Sequence, residues 1–184
     1  MFLLRLLLCL ACGFSLSARA ADAPAASGYE WPNLTDFFKQ LIDRVGAPVK
    51  VYRLEMDRDG KVELLIQDQR QRDIVDRYEY ADGAMTGPSP VKFERYPSIE
   101  ALDHHVIELT TIEFQRLPGM LETAKGKLSL PDAEVSSIGL ERGDSSGMLT
   151  FSDLPIWTFH IETPRHDGHV EFSLDGRVLN AEKD

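Results

Sequence analysis

The chain reads as an α+β protein of helix-plus-antiparallel-sheet modules. Three observations carry that reading: apolar residues at a helical period over 33–46 and 118–129, strand-like alternation between them, and Asp-Gly pairs at 59–60, 82–83, 167–168 and 175–176. Asp-Gly beside alternating apolar residues is a hairpin signal, and repeated hairpins make a meandering sheet.

Residues 1–20 read as a secretory signal peptide. Met1 to Arg5 is a short basic start, Leu6 to Leu16 an apolar core, and Ala18-Arg19-Ala20 a small-residue cleavage site, so cleavage is expected after Ala20. Cys12 fits a lipid-attachment site badly, because Cys9 stands where such a site prefers leucine, and the apolar run before Cys12 is short. Both cysteines lie in this segment, so the secreted chain has no thiol in a disulfide-permissive compartment and must hold together by packing. A periplasmic or secreted location follows.

The whole chain of 184 residues carries 20 Lys+Arg and 30 Asp+Glu. Because the leader holds Arg5 and Arg19 and no acid, the mature chain is more acidic still. That argues against nucleic acid as a partner. Beyond the leader no apolar run reaches the ~20 residues of a membrane-spanning helix, so no integral membrane segment is expected.

Residues 21–32 read as a flexible leader. A first module spans 33–92. Asn33 or Thr35 caps a helix whose face is Phe37, Phe38, Leu41, Ile42 and Val45, stopped by Gly46. Val49 to Met56 alternates into a turn at Asp59-Gly60, Val62 to Ile66 returns, and Ile74 to Tyr80 closes at Asp82-Gly83, with Pro88 and Pro90 marking the exit. The second module, 93–184, opens with a helical region over 97–129. Ser98 caps it, Leu102, Val106, Leu109 and Ile112 continue its face, and Pro118 breaks or kinks it. Met120, Leu121, Ala124 and Leu128 make a further short helix. Strands are expected at 135–140, 148–151, 156–161 and 170–179.

The two modules match at a nearly constant offset. Phe38, Leu41, Val45 and Pro48 match Leu121, Ala124, Leu128 and Pro131, and Val51, Leu54 and Met56 match Val135, Ile138 and Leu140, the pattern of an internal duplication. Helix, strand and a hairpin ending in Asp-Gly, as in Trp157 to Glu162 and Val170 to Val178, resemble the PepSY-like family and the beta-lactamase-inhibitor-like tandem modules. The resemblance implies an envelope or secreted module that binds or inhibits another protein. It transfers no catalytic residue.

Candidate chemistry is sparse. Gly143-Asp144-Ser145-Ser146-Gly147 echoes a serine-hydrolase signature with Ser145 as nucleophile, but nothing in the sequence brings a base to it, and a hairpin loop asks for the same residues. His166-Asp167-Gly168-His169 reads as a two-residue turn bearing an imidazole on each side; with His160 these suit Cu(II) or Zn(II), the metal-binding alternative. His104 and His105 stand on a helix beside Glu100 and Glu108, a surface pairing. No cofactor is implied. In the strand 156–161, Trp157, Phe159 and Ile161 share the inward face and Thr158, His160 and Glu162 the outward one, where His160 and Glu162 stand with Glu171, and with Tyr78 and Tyr80 from the first module. These five residues are the candidate binding surface for a protein partner of unknown identity, and a non-catalytic binding protein is the expected function.

Overall fold

A computed structural model describes residues 29–93, 98–130, 133–143 and 154–183. Helix α1 is Leu34–Val45; Asn33 caps it by accepting from the Asp36 N–H at 3.2 Å, and Gly46, at φ +83°, ends it. Phe37 and Leu41 are buried, whereas Ile42, expected on the same face, stays 42% exposed. Strands β1 (Lys50–Asp57), β2 (Val62–Gln67), β3 (Val75–Ala81) and β4 (Ala84–Pro90) follow as a meander. Then come α2 (Ile99–His105), the two-residue β5 (Ile107–Glu108), α3 (Leu117–Leu128), and β6 (Glu134–Arg142), β7 (Pro155–Glu162), β8 (Asp167–Ser173) and β9 (Val178–Lys183).

The expectation of two separate modules is overturned. The nine strands among the described residues form one antiparallel sheet in the order β4-β3-β2-β1-β6-β7-β8-β9, with β5 on β1. The first strand of each expected module is the other's neighbour: Leu54 faces Leu140, Met56 faces Ile138, and Glu55 faces Gly139. A free first strand would present a row of unpaired backbone groups on each module, and joining β1 to β6 satisfies both. The nearly constant offset thus relates strands that lie side by side in one sheet rather than two separable units. Pro131, one of the matched residues, lies outside the described residues.

Smaller differences have local causes. Pro88 and Pro90 belong to the edge strand β4, where a missing N–H is tolerated. The helix after Ser98 stops at His105, because Val106 turns extended and Ile107 pairs with Val51. Pro118 sits in the first turn of α3, where its missing N–H is harmless, and opens the helix rather than breaking it. Asp167-Gly168 lies inside β8, opposite Glu162 and Ile161. The turn before it is Thr163 to His166, closed by the Thr163 N–H on the His166 carbonyl at 2.8 Å. The run 170–179 is two strands, turned at Asp175-Gly176.

One face of the sheet holds the main core. Leu54, Met56, Leu64, Ile138, Leu140, Trp157, Phe159, Val170 and Phe172 are each at most 1% exposed and lie in one cluster with α1 and α3 residues. Tyr29, within the expected leader, is also buried there and donates its hydroxyl to the Met56 carbonyl at 2.9 Å. On the opposite face α2 covers a small second cluster, Leu65, Val75 and Leu102, with Tyr52, Val91 and Phe93 against it.

The two sheet edges differ. At β4, Gln40 of α1 donates to the Gly83 carbonyl and accepts from the Met85 N–H, both at 2.8 Å, and Arg44 donates to the Gly87 carbonyl at 2.7 Å. At β9 the Ala181 N–H is met by its neighbour's Asn180 Oδ1 at 2.9 Å, and α3 packs against the strand with no side-chain hydrogen bond to its backbone among the described residues.

Candidate functional site

Cross-strand register lays out the outward face in rows. One row runs Asp57, Ser137, His160, His169, Glu182; the next runs Glu63, Glu55, Gly139, Thr158, Glu171, Asn180. Period-two alternation places them there, since the residues between them are core.

His160 and His169 stand directly opposite each other, ring centroids 6.2 Å apart. Partial burial of the ring holds the His160 imidazole below its ordinary pKa, although the residue's edge is exposed, with the His169 ring adding to the effect and Glu55 and Glu171 opposing it. His169 Nε2 is 3.8 Å from the Glu182 carboxylate. His166 does not join them, because it sits in the turn rather than on the strand. Among the described residues no group of three or more His, Cys, Asp or Glu is arranged to hold a metal ion. His105 directs Nδ1 to the Ala101 carbonyl at 2.7 Å, so its expected glutamate partner is replaced by its own helix. Ser145 lies outside the described residues.

Of the five expected contact residues, His160 and Glu162 are exposed on the outward face. Glu162 accepts from Arg58 Nη2 at 3.3 Å, and Arg58 also pairs with Glu134. Glu171 is outward but only 8% exposed. Tyr78 and Tyr80, expected outward, face the core instead. They oppose Leu64 and Val62 on the core face, 9% and 3% exposed, and Tyr80 donates its hydroxyl to Asp36 Oδ2 at 3.0 Å. The strand carries apolar residues on both faces, since Val75 packs outward beneath α2, and alternation alone could not say which set faces the main core.

Two residues of this face, Glu55 and Gly139, escaped sequence reasoning, whereas Thr158 stands outward as its alternation predicts. Glu55 lines two adjoining depressions of about 420 and 150 Å³, sharing both with His160. Gly139 and Thr158 lie in the smaller one, and the Thr158 hydroxyl is buried with no hydrogen-bond partner among the described residues. A glycine inside a run of strand formers was the one signal available.

No family model matches this chain, and no curated protein matches it by sequence. Among solved structures it is similar to a crystal structure from Clostridium difficile 630 titled "a putative lipoprotein", with a TM-score of 0.57, 14% sequence identity, and coverage of 85% of this chain and 95% of that one. That likeness shows a shared fold. No helix among the described residues is long and apolar enough to cross a membrane.

Proposed function

We propose that this chain is a non-catalytic periplasmic or secreted protein that binds, and by binding inhibits, another envelope or secreted protein through the outward face of β6 to β9. The carrying observation is the asymmetry of the sheet. Among the described residues α1 and α3 cover one face, whereas α2 covers the Leu65 and Val75 end of the other and leaves His160 and Glu162 exposed. The lipoprotein title of the structural neighbour supports an envelope setting, as does the signal-peptide reading of residues 1–20. The resemblance to PepSY-like and beta-lactamase-inhibitor-like modules supports a protein as the partner.

Affinity capture from the native envelope fraction tests it. The wild-type mature chain retains a partner, and the double variant His160→Ala, Glu162→Ala retains about tenfold less while keeping its circular dichroism. Equal capture by both proteins overturns the assigned face. A hydrolytic activity of the pure protein that Ser145→Ala abolishes overturns the non-catalytic reading. Intact mass of the secreted chain reads the start at Ala21, and a lipid-modified Cys12 overturns that cleavage site.

A further inference from the structure

Gly139 stands in the middle of β6, the strand that joins the two halves of the sheet, and nothing in the backbone asks for a glycine there. Its φ lies outside the left-handed region, and a Cβ built on it comes no nearer than 4.0 Å to another atom, the Thr158 carbonyl oxygen. The register runs unbroken from Ser137 to Arg142 against β7 and from Arg53 to Asp57 against β1, so no bulge needs it. A strand glycine without a bulge or bend marks a place where another group comes close. Here the missing side chain opens a notch of about 150 Å³ on the outward face.

The walls of that notch are chemically one-sided. Across β7 lies Thr158, 3% exposed, its hydroxyl oxygen unpartnered among the described residues. A buried hydroxyl in that condition calls for a donor or acceptor. Across β1 lies Glu55, whose carboxylate has no ion pair among the described residues. Arg53, the cation at one end, is turned to Glu63 at 3.2 Å, and His160 closes the other end. Burial keeps that imidazole neutral to lower pH than usual, so it offers a lone pair at neutral pH. The notch is smaller than the 300–1,000 Å³ typical of small-molecule sites, which fits the end of one side chain. Three acceptors lining one notch match the three donors of an ammonium better than the planar fork of a guanidinium.

We propose that the Gly139 notch receives a lysine side chain of the partner protein, its ammonium donating to the Glu55 carboxylate, the Thr158 hydroxyl and the His160 ring. This rests on the outward face being the binding face, and it names the chemistry the partner brings there.

The test is an amide-resolved NMR titration of the mature protein with Nα-acetyl-lysine amide, beside the norleucine and arginine analogues. Saturable shifts at Glu55, Gly139 and Thr158 with the lysine probe, and none with norleucine, are expected. Equal response to norleucine, tighter binding of arginine, or no saturable shift at these residues overturns the proposal. Gly139→Val is expected to keep or raise the melting temperature and to weaken the lysine probe about tenfold or more; undiminished binding overturns the notch. Should Gly139→Val unfold, Glu55→Gln and the isosteric Thr158→Val carry the same expectation. Partner capture separates the two proposals: capture that survives Gly139→Val sinks the notch and leaves the face, whereas lysine binding without any captured partner sinks the face reading and leaves the notch.

Discussion

The two faces of the sheet are made by the same strands, yet they answer to different demands. On the face under α1 and α3, the inward residues of β1, β6, β7 and β8 are Leu, Met, Ile, Trp, Phe and Val, nearly all without solvent contact. On the other face the same strands offer Glu55, Gly139, Thr158, His160 and Glu171, and only the α2 end is apolar. Stability is concentrated on one side, so the other is free to carry residues that packing would not choose.

The sharpest way to break that contrast is a truncation on each side. Trp157→Ala, which removes a ring 5.6 Å from the Phe114 centroid, should cost ~3–5 kcal/mol in urea unfolding. The outward double variant His160→Ala, Glu162→Ala should cost no more than ~1 kcal/mol, since Glu162 loses only an exposed ion pair. Similar losses from both would mean that the faces are not separated.

Glycines on the two faces make a second test, with opposite signs. A Cβ on Gly168 would stand 2.7 Å from the Glu182 carbonyl oxygen and 3.1 Å from Leu128, so Gly168→Ala should destabilise by ~1–3 kcal/mol. A Cβ on Gly139 comes only to ordinary contact with the Thr158 carbonyl oxygen, at 4.0 Å, so Gly139→Ala should stabilise by ~0.5–1 kcal/mol, readable as a higher melting temperature. Between these, Thr158→Val removes the unpartnered hydroxyl at constant shape and should gain ~1 kcal/mol. A loss there would show that the hydroxyl is bonded in the free protein.

The smallest effect is the pH response. The folded-state pKa of His160 lies below its unfolded value of ~6.5, so its contribution favours folding above ~6.5 and is lost as pH falls through the folded value. His160→Gln should therefore flatten the stability profile on the acid side of pH ~6.5 in denaturant titrations. A steeper profile in the variant would reverse the assigned direction.

Local structure was legible where one residue type has one physical use. Asn33 reads as a cap, Gly46 as a stop, and Asp59-Gly60 and Asp82-Gly83 as turns because few other residues take positive φ cheaply. Partner choice was not legible, since β1 alternates identically whether it ends a sheet or lies inside one. Asp167-Gly168 misled for the reverse reason: the turn is made by Thr163, whose hydroxyl accepts from the His166 N–H at 2.9 Å, and the glycine answers instead to close packing under Leu128. At the site, His160 and Glu162 announced themselves by charge and alternation. Gly139 and Thr158 matter through a missing side chain and a missing hydrogen bond, and a sequence shows neither.

The unequal edges of the sheet give it a direction of growth. Among the described residues the edge open to added strands is β9, because Gln40, Arg44, Pro88 and Pro90 leave β4 few groups to offer. Two copies meeting β9 to β9 would consume the open edge of each and present only guarded ones, so such pairing terminates at two copies instead of polymerising into a fibre.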